Sequence, residues 1–242
     1  MLRSAKSPRI LAGVLFLLAA SFLLLRSAAQ SGGATVHGVV KYTGSAAPKA
    51  AKIDMSADAA CAKLHSSAAM TEDAITASDG GLENAVVYVS DGLNGQTFNP
   101  PDQPVVVEQS GCIYKPHVIA MQANQKLEVV NKDPVSHNIH PLPNNNREWN
   151  KSQPPGVPVE ATFTREEIAI PVKCNIHPWM HSYIAVFKNP FYAVTAKDGS
   201  FDIKNLPPGT YTLQVWHEKL GMSTQRVTVA AGETKAVDFT LK

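Results

Sequence analysis

The chain has 242 residues and a formal net charge of +2, a length that gives one or two domains and a core that stands without metal or disulfide staples. Arg3, Lys6, Arg9 and Arg26 are the only charged residues among the first 29, so the remainder carries 18 basic and 20 acidic side chains, a charge of −2. No basic stripe is left there to hold nucleic acid.

Behind the basic start, Ile10 to Leu25 is an apolar run of sixteen residues, closed by Arg26 and Ser27-Ala28-Ala29. That pattern predicts a secretory signal peptide over residues 1–29, cleaved after Ala29. The alternative is a retained anchor, but a span takes about twenty residues. The expected compartment is therefore the periplasm or the outside of the cell, with no membrane contact after cleavage.

Residues 30–103 form an N-terminal β segment. Val36, Val40 and Tyr42 alternate with smaller or polar residues over 34–44 and predict an edge strand. Ser45 to Ala51 reads as an Ala/Pro linker, and Ser56 to Leu64 as a short helix capped by Ser56. Ser66 to Gly81 has the composition of a surface loop. Ala85-Val86-Val87-Tyr88-Val89 is a buried strand closed by Asp91-Gly92, and Asn94 to Pro104 is a turn-rich separator.

Residues 104–189 form a further region. Strands are expected at Val105–Val107, at two places between His117 and Val130 around Asn124-Gln125, at Ala161–Phe163, at Ile168–Val172 and at Tyr183–Phe187. Pro141 to Pro158 is dense in Pro and Asn and reads as loop. In residues 190–242, Asp198-Gly199 signals a hairpin between Ala193-Val194-Thr195 and Phe201-Asp202-Ile203. Tyr211, Leu213 and Val215, then Val237, Phe239 and Leu241, alternate with polar residues, as in a small antiparallel sandwich with one face buried. The fold class expected for the whole chain is all-β.

The chemistry concentrates in Cys174-Asn175-Ile176-His177-Pro178-Trp179-Met180, between two apolar β-type runs. A tight loop there turns a thiolate, an imidazole and a thioether toward one point, which is the loop's share of a type 1 copper site. A further imidazole is needed, and Asp133-Pro134-Val135-Ser136-His137-Asn138-Ile139-His140 offers it. The candidate ligands of one copper ion are thus His137, Cys174, His177 and Met180. Metal binding at Cys174 leaves Cys61 and Cys112 free to pair as a disulfide, which export permits; two buried thiols are the alternative. His140 reads as a flanking or surface residue. His181, one step beyond Met180 on a strand, points the other way. His37, His65, His117 and His217 have no ligand spacing.

Cys-x-x-His-Pro-x-Met, joined to Asn-x-Asp-Pro-x-x-His-Asn upstream, makes residues 104–188 resemble the cupredoxins, and among them the amicyanin group. The resemblance implies a Greek-key β-sandwich, with His137, Cys174 and His177 as equatorial ligands and Met180 as the axial one. It implies that Asn138 ties the two ligand loops together and bonds near the Cys sulfur. It implies single-electron transfer, with a c-type cytochrome or a periplasmic dehydrogenase as partner. Pro178 and Trp179 are then either core or an apolar collar for docking at an exposed His177 edge, the expected electron exit. Residues 141–160 are long for a minimal cupredoxin.

The tail motif Asp198-Gly199-x-Phe201, then Leu206-Pro207-Pro208-Gly209-Thr210-Tyr211, then Ala231-Gly232-Glu233-Thr234, resembles the carboxypeptidase regulatory-like domain. Such domains begin with strands like Gly38-Val39-Val40 and Ala85 to Val89, which implies one sandwich split by the copper region. No substrate pocket is implied, so the chain is not expected to be an enzyme. The alternative is a cell-envelope binding or scaffold module with copper sequestration. Nothing in the residues fixes an oligomeric state.

Overall fold

The computed structural model describes residues 1, 32–45, 49–73 and 76–242. The expected signal peptide therefore lies, beyond Met1, outside the described residues. Among the described residues no helix is long and apolar enough to cross a membrane.

The elements in order are β1 (Ala34–Tyr42), α1 (Ala59–Lys63), β2 (Val86–Asp91), β3 (Val105–Gln109), β4 (Tyr114–Lys115), β5 (Val118–Gln122), β6 (Lys126–Asn131), β7 (His137–Pro141), β8 (Lys151–Gln153) and β9 (Val159–Thr162). They continue with β10 (Glu167–Lys173), β11 (His181–Phe187), β12 (Tyr192–Val194), β13 (Ser200–Leu206), β14 (Gly209–His217), β15 (Gly221–Val229), β16 (Thr234–Ala236) and β17 (Phe239–Leu241). Four sheets result. Their strand orders are β13-β1-β16 with β17 also on β1, β12-β2-β14-β15, β5-β11-β10-β7-β8, and β4-β3-β6-β9.

The sheets pair into two sandwiches. An outer one encloses Val36, Val40, Val87, Val89, Phe201, Ile203, Leu213, Val215 and Phe239. An inner one encloses Val107, Ile119, Met121, Leu127, Val129, Ile170, Ile184 and Val186. A third apolar cluster, with Val86, Tyr88, Val118, Ala185 and Phe187, joins the sandwiches face to face. Neighbouring residues of one strand point to opposite faces. Hence Val87 and Val89 enter the outer core while Val86 and Tyr88 enter the junction, and Ile184 and Val186 enter the inner core while Ala185 and Phe187 enter the junction. The unbroken apolar runs of β2 and β11 are what a strand covered on both faces requires. The junction is aromatic: Phe187 stacks on Tyr192 at 4.5 Å and lies 5.1 Å from Tyr88.

The outer sandwich is built from both sides of the inner one. β1 pairs antiparallel with β13 and parallel with β16 and β17, and β2 pairs antiparallel with β12 and β14. β1 is therefore a central strand, not the edge strand its alternation suggested, because the chain's last strands return to its free side. Asp198-Gly199 does form a tight turn, with Gly199 N–H on the Ala196 carbonyl at 2.8 Å. Gly199 has φ +79°, and a Cβ there would lie 2.5 Å from the Val40 carbonyl oxygen, so only glycine fits. Yet β12 and β13 go to opposite sheets and form no hairpin ladder.

Three local expectations also change. The cap of α1 is Asp58, whose carboxylate accepts from Ala60 and Cys61 N–H, rather than Ser56. Residues Lys151–Gln153 of the expected loop form β8, on β7. The segment around Ile53, Met55, Cys61 and Ala69 packs on the inner core and not with the outer strands.

Candidate metal centre

The centre sits where β7 begins, β10 ends and β11 begins. Cys174 N–H donates to the Met180 carbonyl at 3.1 Å, and Met180 N–H to the His177 carbonyl at 2.9 Å. These bonds close the seven-residue loop into a tight turn. Asn138, next to His137, lashes it to β7: its Oδ1 accepts from Asn175 N–H at 2.6 Å and from the Cys174 thiol at 3.3 Å. Beneath, the Tyr114 hydroxyl donates to the carbonyls of Asn138 and Lys173 at 2.5 and 3.2 Å.

His137, Cys174 and His177 converge. The two Nδ1 atoms lie 2.9 Å apart, and Cys174 Sγ lies 3.8 Å from Nδ1 of His177. All three residues are buried, and Met180 is buried in the same core. His140 stays outside, held by Asn175 and Glu148, and His181 lies with His117 instead.

Each imidazole turns its outer nitrogen to a carboxylate. His137 Nε2 is 2.9 Å from Asp133, and His177 Nε2 is 3.1 Å from Asp58. Asp133 is itself oriented by Gly111 and Cys112 N–H at 2.6 and 2.8 Å. A carboxylate on the outer nitrogen fixes tautomer and ring plane and raises the basicity of the inner nitrogen, the arrangement that metal-binding imidazoles use. Burial alone would lift the Cys174 thiol, but hydrogen bonding from His137 and from the backbone near Asn138, His177 and Ile176 prevails and brings it down to about 6. A thiolate facing two imidazole nitrogens is a soft-and-borderline donor set that fits copper.

Asp133 was within reach of sequence reasoning, since it stands four residues before His137 in a turn-forming Asn-Lys-Asp-Pro. Asp58 was not: it is 119 residues from His177. It arrives on α1, which the Cys61–Cys112 disulfide clamps to the inner sandwich, with Cα atoms 5.7 Å apart. Cys61 Sγ lies 3.5 Å from His177 Nε2. His177 is consequently 2% exposed, which corrects the expected open edge. Trp179 is engaged too, its ring 5.1 Å from that of His177 and its indole N–H on the Cys112 carbonyl at 3.1 Å. Of the loop, Asn175, Ile176 and Pro178 face solvent.

Residues 184–242 match the carboxypeptidase regulatory-like domain family. Their strands β12 to β17 supply the larger part of the outer sandwich. No curated protein matches the chain. Among solved structures the chain is similar to a copper-containing nitrite reductase of Thermus scotoductus SA-01, with 23% identity and TM-score 0.34 over 39% of this chain and 24% of that one. It is also similar to a purple cupredoxin of Nitrosopumilus maritimus, with 20% identity and TM-score 0.30 over 34% and 98%. An oxidised proline-to-glycine mutant of amicyanin matches at 15% identity and TM-score 0.32 over 41% and 97%. The chain thus spans about a quarter of the nitrite reductase. The described residues are nearly all β, and the inner region is a sandwich of two sheets around one core. Fold by itself assigns no activity.

Proposed function

We propose that this chain is an exported type 1 copper protein that carries single electrons between redox partners and turns over no substrate of its own. The observation that carries this reading is the convergence of His137 Nδ1, His177 Nδ1 and Cys174 Sγ inside a core, with both outer nitrogens held by carboxylates. His137, His177, Cys174 and Met180 would hold one copper ion. When bound, copper would supply a one-electron couple, and two imidazole nitrogens, a thiolate and a weak thioether would be a donor compromise between the preferences of its two oxidation states.

The chain's own residues keep that compromise rigid. Asp133 and Asp58 hold the ring planes, Asn138 holds the sulfur, and the lowered Cys174 thiol loses its proton readily at neutral pH. Because the His177 edge is covered, a partner meets the loop at Asn175, Ile176 and Pro178. A c-type cytochrome or a periplasmic dehydrogenase is the class of partner that fits single-electron exchange at such a face.

The cover over His177 favours a second reading, copper sequestration in a cell-envelope module, since a ligand 2% exposed also slows exchange with solvent and partners. One experiment separates the two. Residues 30–242 receive Cu(II), beside Cys174→Ser, and the visible and electron-spin-resonance spectra are recorded before mixing with reduced cytochrome c. An intense blue band with narrow copper hyperfine splitting, absent in the mutant and bleached rapidly by the cytochrome, is expected. A blue band that the cytochrome does not bleach selects sequestration. A pale signal insensitive to the mutation overturns both.

A further inference from the structure

A separate group of ligand-type side chains lies at the junction of the sandwiches. His117 precedes β5, His181 opens β11, and Glu218 follows β14 in the turn to β15. The sequence placed them far apart and without motif spacing, yet their ligand atoms all lie within 4.8 Å of one another. His117 is 4% exposed, the Glu218 side chain is 2% exposed, and His181 is half-buried. The two imidazoles meet edge to face, centroids 5.3 Å apart.

The orientation of each group suits a cation. His181 Nδ1 lies 3.1 Å from the Trp179 carbonyl. A carbonyl only accepts, so Nδ1 carries the proton and Nε2 keeps a free lone pair. The Glu218 carboxylate binds His117 Nε2. Lys219, beside it in the chain, is turned away to Asp73 at 3.2 Å. A buried His–Glu pair alone would serve as a polar tie between sandwiches. It would not call for a second, half-open imidazole whose tautomer is fixed by a backbone carbonyl, the arrangement that prepares histidine for a metal.

We propose that His117, His181 and Glu218 form a site for a borderline divalent cation, Zn(II) or Cu(II), separate from the Cys174 centre. Two imidazole nitrogens and one carboxylate oxygen match those ions. The set has no thiolate to favour Cu(I) and too few oxygens for Ca(II) or Mg(II). The open side at His181 leaves a position for water. Two ligands come from the inner sandwich and one from the outer, so the ion also locks the junction. The assignment does not depend on what the Cys174 centre binds.

The test is Zn(II) titration of the metal-free chain, followed by calorimetry and by elemental analysis after gel filtration. Wild type is expected to retain two equivalents, and Cys174→Ser one. Glu218→Gln and His181→Ala, each with a near-ultraviolet circular dichroism spectrum like wild type, are also expected to retain one. Glu218→Gln preserves side-chain shape, and His181 is half-open to solvent, so at least one of the two keeps its fold. Loss of one equivalent in both variants supports the site. Absence of any retained equivalent from Cys174→Ser, or retention of the full wild-type count in a folded Glu218→Gln or His181→Ala, overturns it.

Discussion

In the outer sandwich the enclosed side chains are Val36, Val87, Phe201, Leu213, Val215, Phe239 and others of their kind. Its buried Thr195 and Asn189 lie at turns, bonded to the Leu82 and Val89 carbonyls. In the inner sandwich His137, Cys174, His177, Asp133 and Gln153 lie within or beside the core, and all are buried. Buried polar groups cost free energy unless hydrogen-bonded. Around the Cys174 centre the inner sandwich meets that cost with a dense network, whereas the outer core buries few polar side chains, His217 among them. The contrast separates a scaffold from a region organised for chemistry, although one chain weaves both.

Breaking the scaffold should leave the chemistry in place. Phe239, 0% exposed in the outer core, is expected to cost about 3–5 kcal/mol when replaced by alanine, from lost transfer energy and a residual cavity. The check is a pair of urea melts on the copper-loaded Phe239→Ala chain, one followed by far-ultraviolet circular dichroism and one by the blue band. The colour should outlast part of the dichroism. Coincident midpoints would mean that the junction makes the two sandwiches one cooperative unit.

The next largest effect lies on the other side of the comparison. Removing the Cys61–Cys112 disulfide by a double change to alanine frees a segment spanning 51 residues and is expected to cost about 2–4 kcal/mol. Hydrogen exchange should rise in residues 49–73 and stay unchanged in β14. Electron exchange with cytochrome c should accelerate as Asp58 and residue 61 withdraw from His177. An unchanged rate would show that the cover does not limit access.

A pH effect sharpens the contrast. Burial lowers the His217 imidazole of the outer sandwich to about 4, below its ordinary value near 6.5. The unfolded chain then binds more protons than the folded one between those values, so stability rises with pH across that window and is lost as pH falls through it. The loss is at most about 3 kcal/mol by the same linkage. Glu167 in the inner sandwich behaves differently. Burial would raise its carboxyl, but the backbone N–H and side-chain groups of Asn144, Asn145 and Asn146 outweigh that and hold it below the usual range. Its contribution persists until pH falls below about 4.3. Hydrogen exchange from pH 7 to 4 should therefore loosen β14 before β5, and His217→Leu should remove the difference.

Much of this was legible locally. The Cys174–Met180 loop, His137 and Asn138 stand in short motifs whose spacing fixes a geometry, and the doubly buried strands β2 and β11 announce themselves as unbroken apolar runs. What escaped is set by partners distant in the chain. The alternation of β1 gives a strand but not its neighbours, which come from residues 200–206 and 234–241. The Asp198-Gly199 turn is local chemistry, while the sheets that its flanking strands enter are chosen by the core. Asp58 reaches His177, and Glu218 reaches His117, across 119 and 101 residues. Neither pair leaves a periodic trace in composition or spacing.

The interruption of the outer sandwich also has a consequence in time. During synthesis β1 and β2 emerge well before the strands they need, and Val89 must wait for Asn189, its neighbour across 100 residues. Closing a flexible loop of that size costs about 4 kcal/mol of chain entropy. If the intervening strands condense first, as a contiguous unit produced in the meantime, the long loop becomes a short tether and most of that cost has already been met. The inner sandwich then acts as an assembly jig. A translation pause within residues 105–187 would delay both halves of the molecule, whereas a pause after residue 190 would delay only the outer one.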